Sequence, residues 1–113
     1  MSQVKYQRTI ATETSCTGVG LHTGVETTIT FKPAGEDFGI RFKRMDVDGC
    51  PEIKADIDHV VDITRNTTIE ENGVKIYTVE HALAACVGIG LDNILIELTE
   101  KEPPVMDGSS MIL

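Results

Sequence analysis

At Thr78 the hydrophobic pattern of this chain changes period, and that change limits what it can fold into. Upstream, VETTITF (25–31) puts Val25, Thr27, Ile29 and Phe31 on one face, and FGIRFKRM (38–45) alternates in the same way. Alternation is the mark of a half-buried strand. From 78 to 88 the apolar residues Val79, Leu83 and Cys86 or Val87 recur every three to four positions instead. That is a helix with one apolar face. Thr78 is placed to cap it, and Gly88 and Gly90 to end it. Alternation then returns in NILIELTE (93–100), with Ile94, Ile96 and Leu98 on one face.

The remaining segments fit between these runs. Residues 5–16, rich in Thr and Ser, read as a partly solvent-facing strand. TGVGLHTG (17–24) has three glycines in eight residues and reads as a hairpin-like loop. KPAGED is a turn, after which FGIRFKRM is expected to pair back on the preceding strand. EIKADIDHVVD (52–62) reads as a short strand followed by a short helix. NTTIEENGVKIYTV (66–79) is a hairpin about Asn72-Gly73, a favoured turn pair. Asp92 and Asn93 are expected to cap the turn into the last strand, and Pro103-Pro104 rules out regular structure beyond it. The fold class is α+β: a single domain with a mixed, mostly antiparallel sheet of about five strands, and one long plus one short helix packed on one face.

Composition excludes several functions. A net charge of −8 argues against nucleic acid and against an anionic membrane surface. No run approaches the ~18 apolar residues of a membrane span, and MSQVKYQRTI has no apolar signal-peptide core, so the cytoplasm is the expected compartment. Cys16, Cys50 and Cys86 are odd in number and widely spaced. They read as buried or half-buried thiols, without a disulfide framework or a zinc knuckle. The GIG of GIGLDN follows a helix and precedes a strand, the wrong order for a dinucleotide loop.

The chemistry-bearing pair is Glu80-His81, in the first turn of the helix. One reading is structural: a carboxylate there is favoured by the helix dipole, and the histidine faces water. The other is half of a metal site. Neighbouring helical residues point about 100° apart, so one of them can hold a metal ion while the other holds the proton of its water. The chain has no HExxH, and His22 and His59 stand alone. His59 reads as a surface or capping residue, and Asp107 as part of a turn.

TGVGLHTG, TVEHALAACVGIGLDN and PPVMDGSS, in that order and spacing, closely resemble the UDP-3-O-acyl-N-acetylglucosamine deacetylase family, the zinc hydrolases that remove an acetyl group in lipid A biosynthesis. The resemblance covers essentially the whole chain. It implies a two-domain enzyme with the active site between two α+β halves. Residues 1–113 correspond to the N-terminal half, and a second, C-terminal domain is absent from this chain. It further implies zinc as cofactor, His81 as a metal ligand and Glu80 as the general base, with the other ligands on the second domain. Leu21 and His22 fall in a loop near the acyl group. Arg65, Asn66 and Thr67 fall in the loop that approaches the metal from the first domain, making all five substrate-binding candidates. The implied substrate is a UDP-sugar lipid, the implied partner is the missing domain, and a subset of the family is fused to a hydroxyacyl-carrier-protein dehydratase. The isolated segment is expected to bind metal weakly and to be inactive. The rival reading is a non-catalytic interaction module that keeps the fold and self-associates through its exposed helix face at residues 79–89.

Overall fold

The computed structural model describes residues 7–20, 23–56, 60–62 and 67–104, with 60–62 described by backbone alone. Strands β1 (Thr14–Val19), β2 (Glu26–Pro33), β3 (Ile40–Arg44), β4 (Glu52–Lys54) and β8 (Ile94–Leu98) form one sheet in the order β1-β2-β8-β3-β4. Strands β5 (Val60–Asp62), β6 (Thr68–Glu71) and β7 (Val74–Ile76) form a second sheet in sequence order. One helix, α1 (Glu80–Gly88), lies between β7 and β8 in the chain. The class is α+β, as the pattern predicts, but the strands divide between two sheets.

β8 is the centre of the larger sheet. Its inward residues Ile94, Ile96 and Leu98 are fully buried, so both of its edges must be covered. β2 covers one edge antiparallel, with Phe31 opposite Ile96, and β3 covers the other in parallel, with Phe42 opposite Ile96. The expected β2–β3 hairpin is therefore absent: the last strand is inserted between them. Alternation sets the face a strand buries but not its neighbour. On the outer face of β2, Lys32 pairs with Glu97 of β8 at 3.1 Å.

β1 is an edge strand, pinned by two hydroxyl pairs, Ser15 with Thr30 and Thr17 with Thr28, each at 2.9 Å. Cross-strand pairs of this kind are the unit of sheet stability. The strand runs three residues into the glycine cluster and begins at Thr14 rather than near residue 5. Residues 7–8 are held outside the strand, by side chains and by the Arg8 carbonyl, which accepts from Asp92 and Asn93 N–H. The Gln7 carboxamide accepts from Asp37 N–H and from Asn93 Nδ2, and Asp92 accepts from Arg8 N–H. Asp92 and Asn93 thus tie distant segments together, with Asn93 Oδ1 also accepting from Gly39 N–H at 2.8 Å.

In the second sheet Asn72 and Gly73 both take positive φ, 53° and 82°. Two such residues match the type I′ turn that suits the twist of a two-residue hairpin. The short helix expected within 52–62 is not present among the described residues. Val60–Asp62 instead pairs antiparallel with β6, across a register shift. β-Branched valines favour that outcome.

α1 is shorter than the pattern suggests, at nine residues, and buries Ala82 and Cys86. Those two side chains join Ile29, Phe31, Phe42, Ile53, Ile69, Ile76, Val79 and the β8 isoleucines in one core shared by both sheets and the helix. The helix ends as glycine requires. Gly90 has φ 76°, Gly90 N–H bonds to Val87 C=O, and Leu91 N–H reaches back to Cys86 C=O, both at 3.0 Å. That is a Schellman closure. Val87 and Ile89, in contrast, are exposed.

Candidate active site at the start of α1

The entry into α1 departs from ordinary capping. Thr78 does not cap the helix. Val79 occupies the N-cap position with no side-chain cap bond. Thr78 has φ 57°, in the left-handed region, where a β-branched residue is an outlier. Its hydroxyl donates to Oε2 of Glu102 and does not accept from a helix amide. Tyr77 N–H bonds to Lys101 C=O at 2.7 Å, so residues 77–78 and 101–102 run as a pair of straps.

This geometry brings Glu80 beside Thr67. Thr67 N–H donates to Glu80 Oε2 at 3.2 Å, and Thr67 C=O accepts from Val79 N–H at 3.0 Å. Thr67, just ahead of β6, is thus stitched to the first turn of α1 from both sides. Glu80 is half-buried and His81 is exposed. A carboxylate held by a backbone amide, with an imidazole about 100° around the same helix turn, can accept a proton at one point while the imidazole lends its nitrogen lone pair to a cation. Of the residues singled out from sequence, Glu80, His81 and Thr67 are brought together. Leu21, His22, Arg65 and Asn66 lie outside the described residues, as do His59 and Asp107.

The donor set for a metal is partial. Among the described residues no three His, Cys, Asp or Glu side chains cluster closely enough to hold an ion. His81, an exposed residue next to Glu80, could supply at most one imidazole to an ion. The cysteines offer nothing further: Cys86 is buried in the core, and its burial pushes the thiol up to about 11. Burial also raises the Cys16 thiol.

Glu102 escaped the sequence reading. It is fully buried, and its Oε1 accepts from Thr23 N–H at 2.9 Å. Gly20 makes room for it: a Cβ there would lie 2.5 Å from Oε1. Gly20 also bridges to Pro104.

With the α+β fold and this acid–imidazole helix start in place, comparison with known proteins defines the class. The family model for UDP-3-O-acyl N-acetylglycosamine deacetylase matches residues 7–112. The chain belongs to that family. It is 58% identical to the "Bifunctional enzyme LpxC/FabZ" of Chlorobaculum tepidum, over 93% of this chain and 22% of that protein. It is 44% identical to the protein of the same name from Bacteroides thetaiotaomicron, over 92% of this chain and 23% of the other. To the "UDP-3-O-acyl-N-acetylglucosamine deacetylase" of Alcanivorax borkumensis it is 48% identical, over 92% of this chain and 34% of that protein. The chain therefore spans between about a fifth and about a third of the length of these relatives. No described helix is long and apolar enough to cross a membrane.

Proposed function

We propose that residues 1–113 are the N-terminal domain of a zinc-dependent amide hydrolase that removes the N-acetyl group from a UDP-3-O-acyl-N-acetylglucosamine in lipid A biosynthesis. The observation that carries this reading is the Thr67–Glu80 hydrogen bond, which fixes a carboxylate beside the exposed His81 within a family match that covers the chain. A bound zinc would polarise the acetyl carbonyl and acidify a water, the chemistry such an ion supplies in hydrolases. Within this segment His81 serves as one ligand. Glu80 takes the proton from the attacking water and returns it to the departing amine, so that the amide C–N bond breaks to give acetate and the free amine. The amide of Thr67 keeps the carboxylate aimed across this path. By the family resemblance, Leu21 and His22 belong to a loop near the acyl group, and Arg65, Asn66 and Thr67 to the loop that approaches the metal, where Arg65 would also set a cation near a phosphate-bearing substrate. Further ligands come from a second domain, against which the exposed Val87 and Ile89 would pack.

The names of the two bifunctional relatives favour a second fused activity, which we assign to a hydroxyacyl-carrier-protein dehydratase. A nucleotide-sugar substrate places the protein in the cytoplasm. The test uses the full-length protein carrying this segment. Glu80→Gln abolishes release of acetate while bound zinc is retained, and His81→Ala lowers the zinc content. Full zinc and full rate after His81→Ala would overturn the assignment.

A further inference from the structure

Glu102 is the one charged side chain that is fully buried among the described residues. A carboxylate is kept from water only where hydrogen bonds compensate, and among the described residues two such bonds come from places far apart in sequence. Thr23 N–H closes the glycine-rich loop on Oε1, and the Thr78 hydroxyl meets Oε2. The space beside Oε1 exists because residue 20 has no side chain. Thr78, two residues before Glu80, is held in a backbone conformation that a threonine avoids. Such strain persists only where the surroundings over-determine it, and it gathers at functional sites. No side-chain cap fixes the first turn of α1. The direction in which that turn begins is therefore set by the two Thr67 bonds to Val79 and Glu80 and by Thr78 with what holds it.

We propose that Glu102 is a positioning residue for hydrolysis: by accepting the Thr78 hydroxyl it locks the left-handed step that aims Glu80 and His81, and by accepting Thr23 N–H it joins the glycine-rich loop to the same point. The inference rests on the reading of Glu80 and His81 given above. It adds a residue that touches neither metal nor substrate and acts through the backbone.

The experiment uses the full-length protein, with every variant assayed well below its own unfolding temperature. Glu102→Ala and the near-isosteric Thr78→Val each lower kcat about 10- to 100-fold, the range set by small misplacements of reacting groups, with KM changed less than about threefold. The double variant is no slower than the worse single, because both remove one link. Thr78→Ser, which keeps the hydroxyl, restores kcat to within about threefold of the parent, as expected if the hydroxyl rather than the methyl forms the link. A purely structural role would lower the unfolding temperature but leave kcat of the folded protein unchanged. That result, or additive losses in the double variant, overturns the proposal. If Glu102→Ala does not fold, the Thr78 pair decides alone: equal kcat for Val and Ser overturns it. Glu80→Gln and His81→Ala are run alongside. Impairment of those two with an unaffected Glu102→Ala defeats only the positioning role, whereas full activity and zinc in both defeats the site itself.

Discussion

Replacing Thr78 by glycine sets the relief of backbone strain against the loss of a buried hydrogen bond and of buried contacts. The left-handed backbone at φ 57° costs an L-residue about 1–2 kcal/mol, which glycine would relieve. Against this, glycine adds about 0.5–1 kcal/mol of backbone entropy to be lost on folding. The substitution also removes a buried hydroxyl bonded to Glu102. A hydrogen bond to a charged group is worth about 1.5–3 kcal/mol, and the buried γ-methyl about 0.8 kcal/mol. The losses win, leaving Thr78→Gly destabilised by about 2 kcal/mol, or roughly 10 °C for a chain of this size. Thr78→Ala loses the same hydroxyl and methyl but keeps the strain, so it falls about 0.5–1 kcal/mol below the glycine variant. Urea unfolding of the 113-residue chain reads this directly as a shift of midpoint at constant slope. The expected order is wild type, then glycine, then alanine. A glycine variant more stable than wild type would show that the Glu102 bond is worth less than the strain. An alanine variant at or above glycine would show that the strain is absent.

Three further outcomes follow from the fold. Gly73→Ala, at φ 82° in the β6–β7 turn, destabilises the chain by about 1–2 kcal/mol, read from the thermal midpoint; an unchanged midpoint would contradict the I′ geometry. The Cys86 thiol is raised by burial from 9.0 to about 11, so the unfolded chain releases this proton first. The stability tied to it is intact below pH 9 and declines as pH rises toward 11. Cys86→Ala flattens that decline in urea titrations across the window, and an identical pH profile would refute the assignment. The 113-residue chain alone does not bind zinc with tight one-to-one stoichiometry in calorimetry, since no three donors cluster among its described residues; a sharp equimolar transition would contradict the shared-site reading.

Much of this structure can be read directly from pattern. Ile94, Ile96 and Leu98 are buried as their alternation requires, and Asn72-Gly73 makes its turn because few other pairs accept two positive φ values. What the pattern does not carry is which strand lies beside which. Alternation in 38–45 is the same whether the neighbour is β2 or β8, and only the need of β8 for cover on both edges decides. Thr78 looks like a helix cap because threonine at a helix start usually is one. Its hydroxyl instead donates to Glu102, 24 positions away. Glu102, before a proline pair, carries no signal of burial in the sequence, because the Gly20 void and the Thr23 amide that bury it lie some 80 residues upstream. Glu80 and His81 stand out through a short motif, while the amide that fixes Glu80 belongs to Thr67, 13 positions upstream and next to β6 of the second sheet.

The central claim is that the His81 imidazole binds the catalytic metal while the neighbouring Glu80 does not. X-ray absorption at the zinc edge of the loaded full-length protein tests it. The wild type shows imidazole nitrogens at about 2.0–2.1 Å; His81→Ala lowers that imidazole count and the zinc occupancy, and Glu80→Gln leaves both intact. An unchanged imidazole shell in His81→Ala, or loss of the metal in Glu80→Gln, would contradict the account.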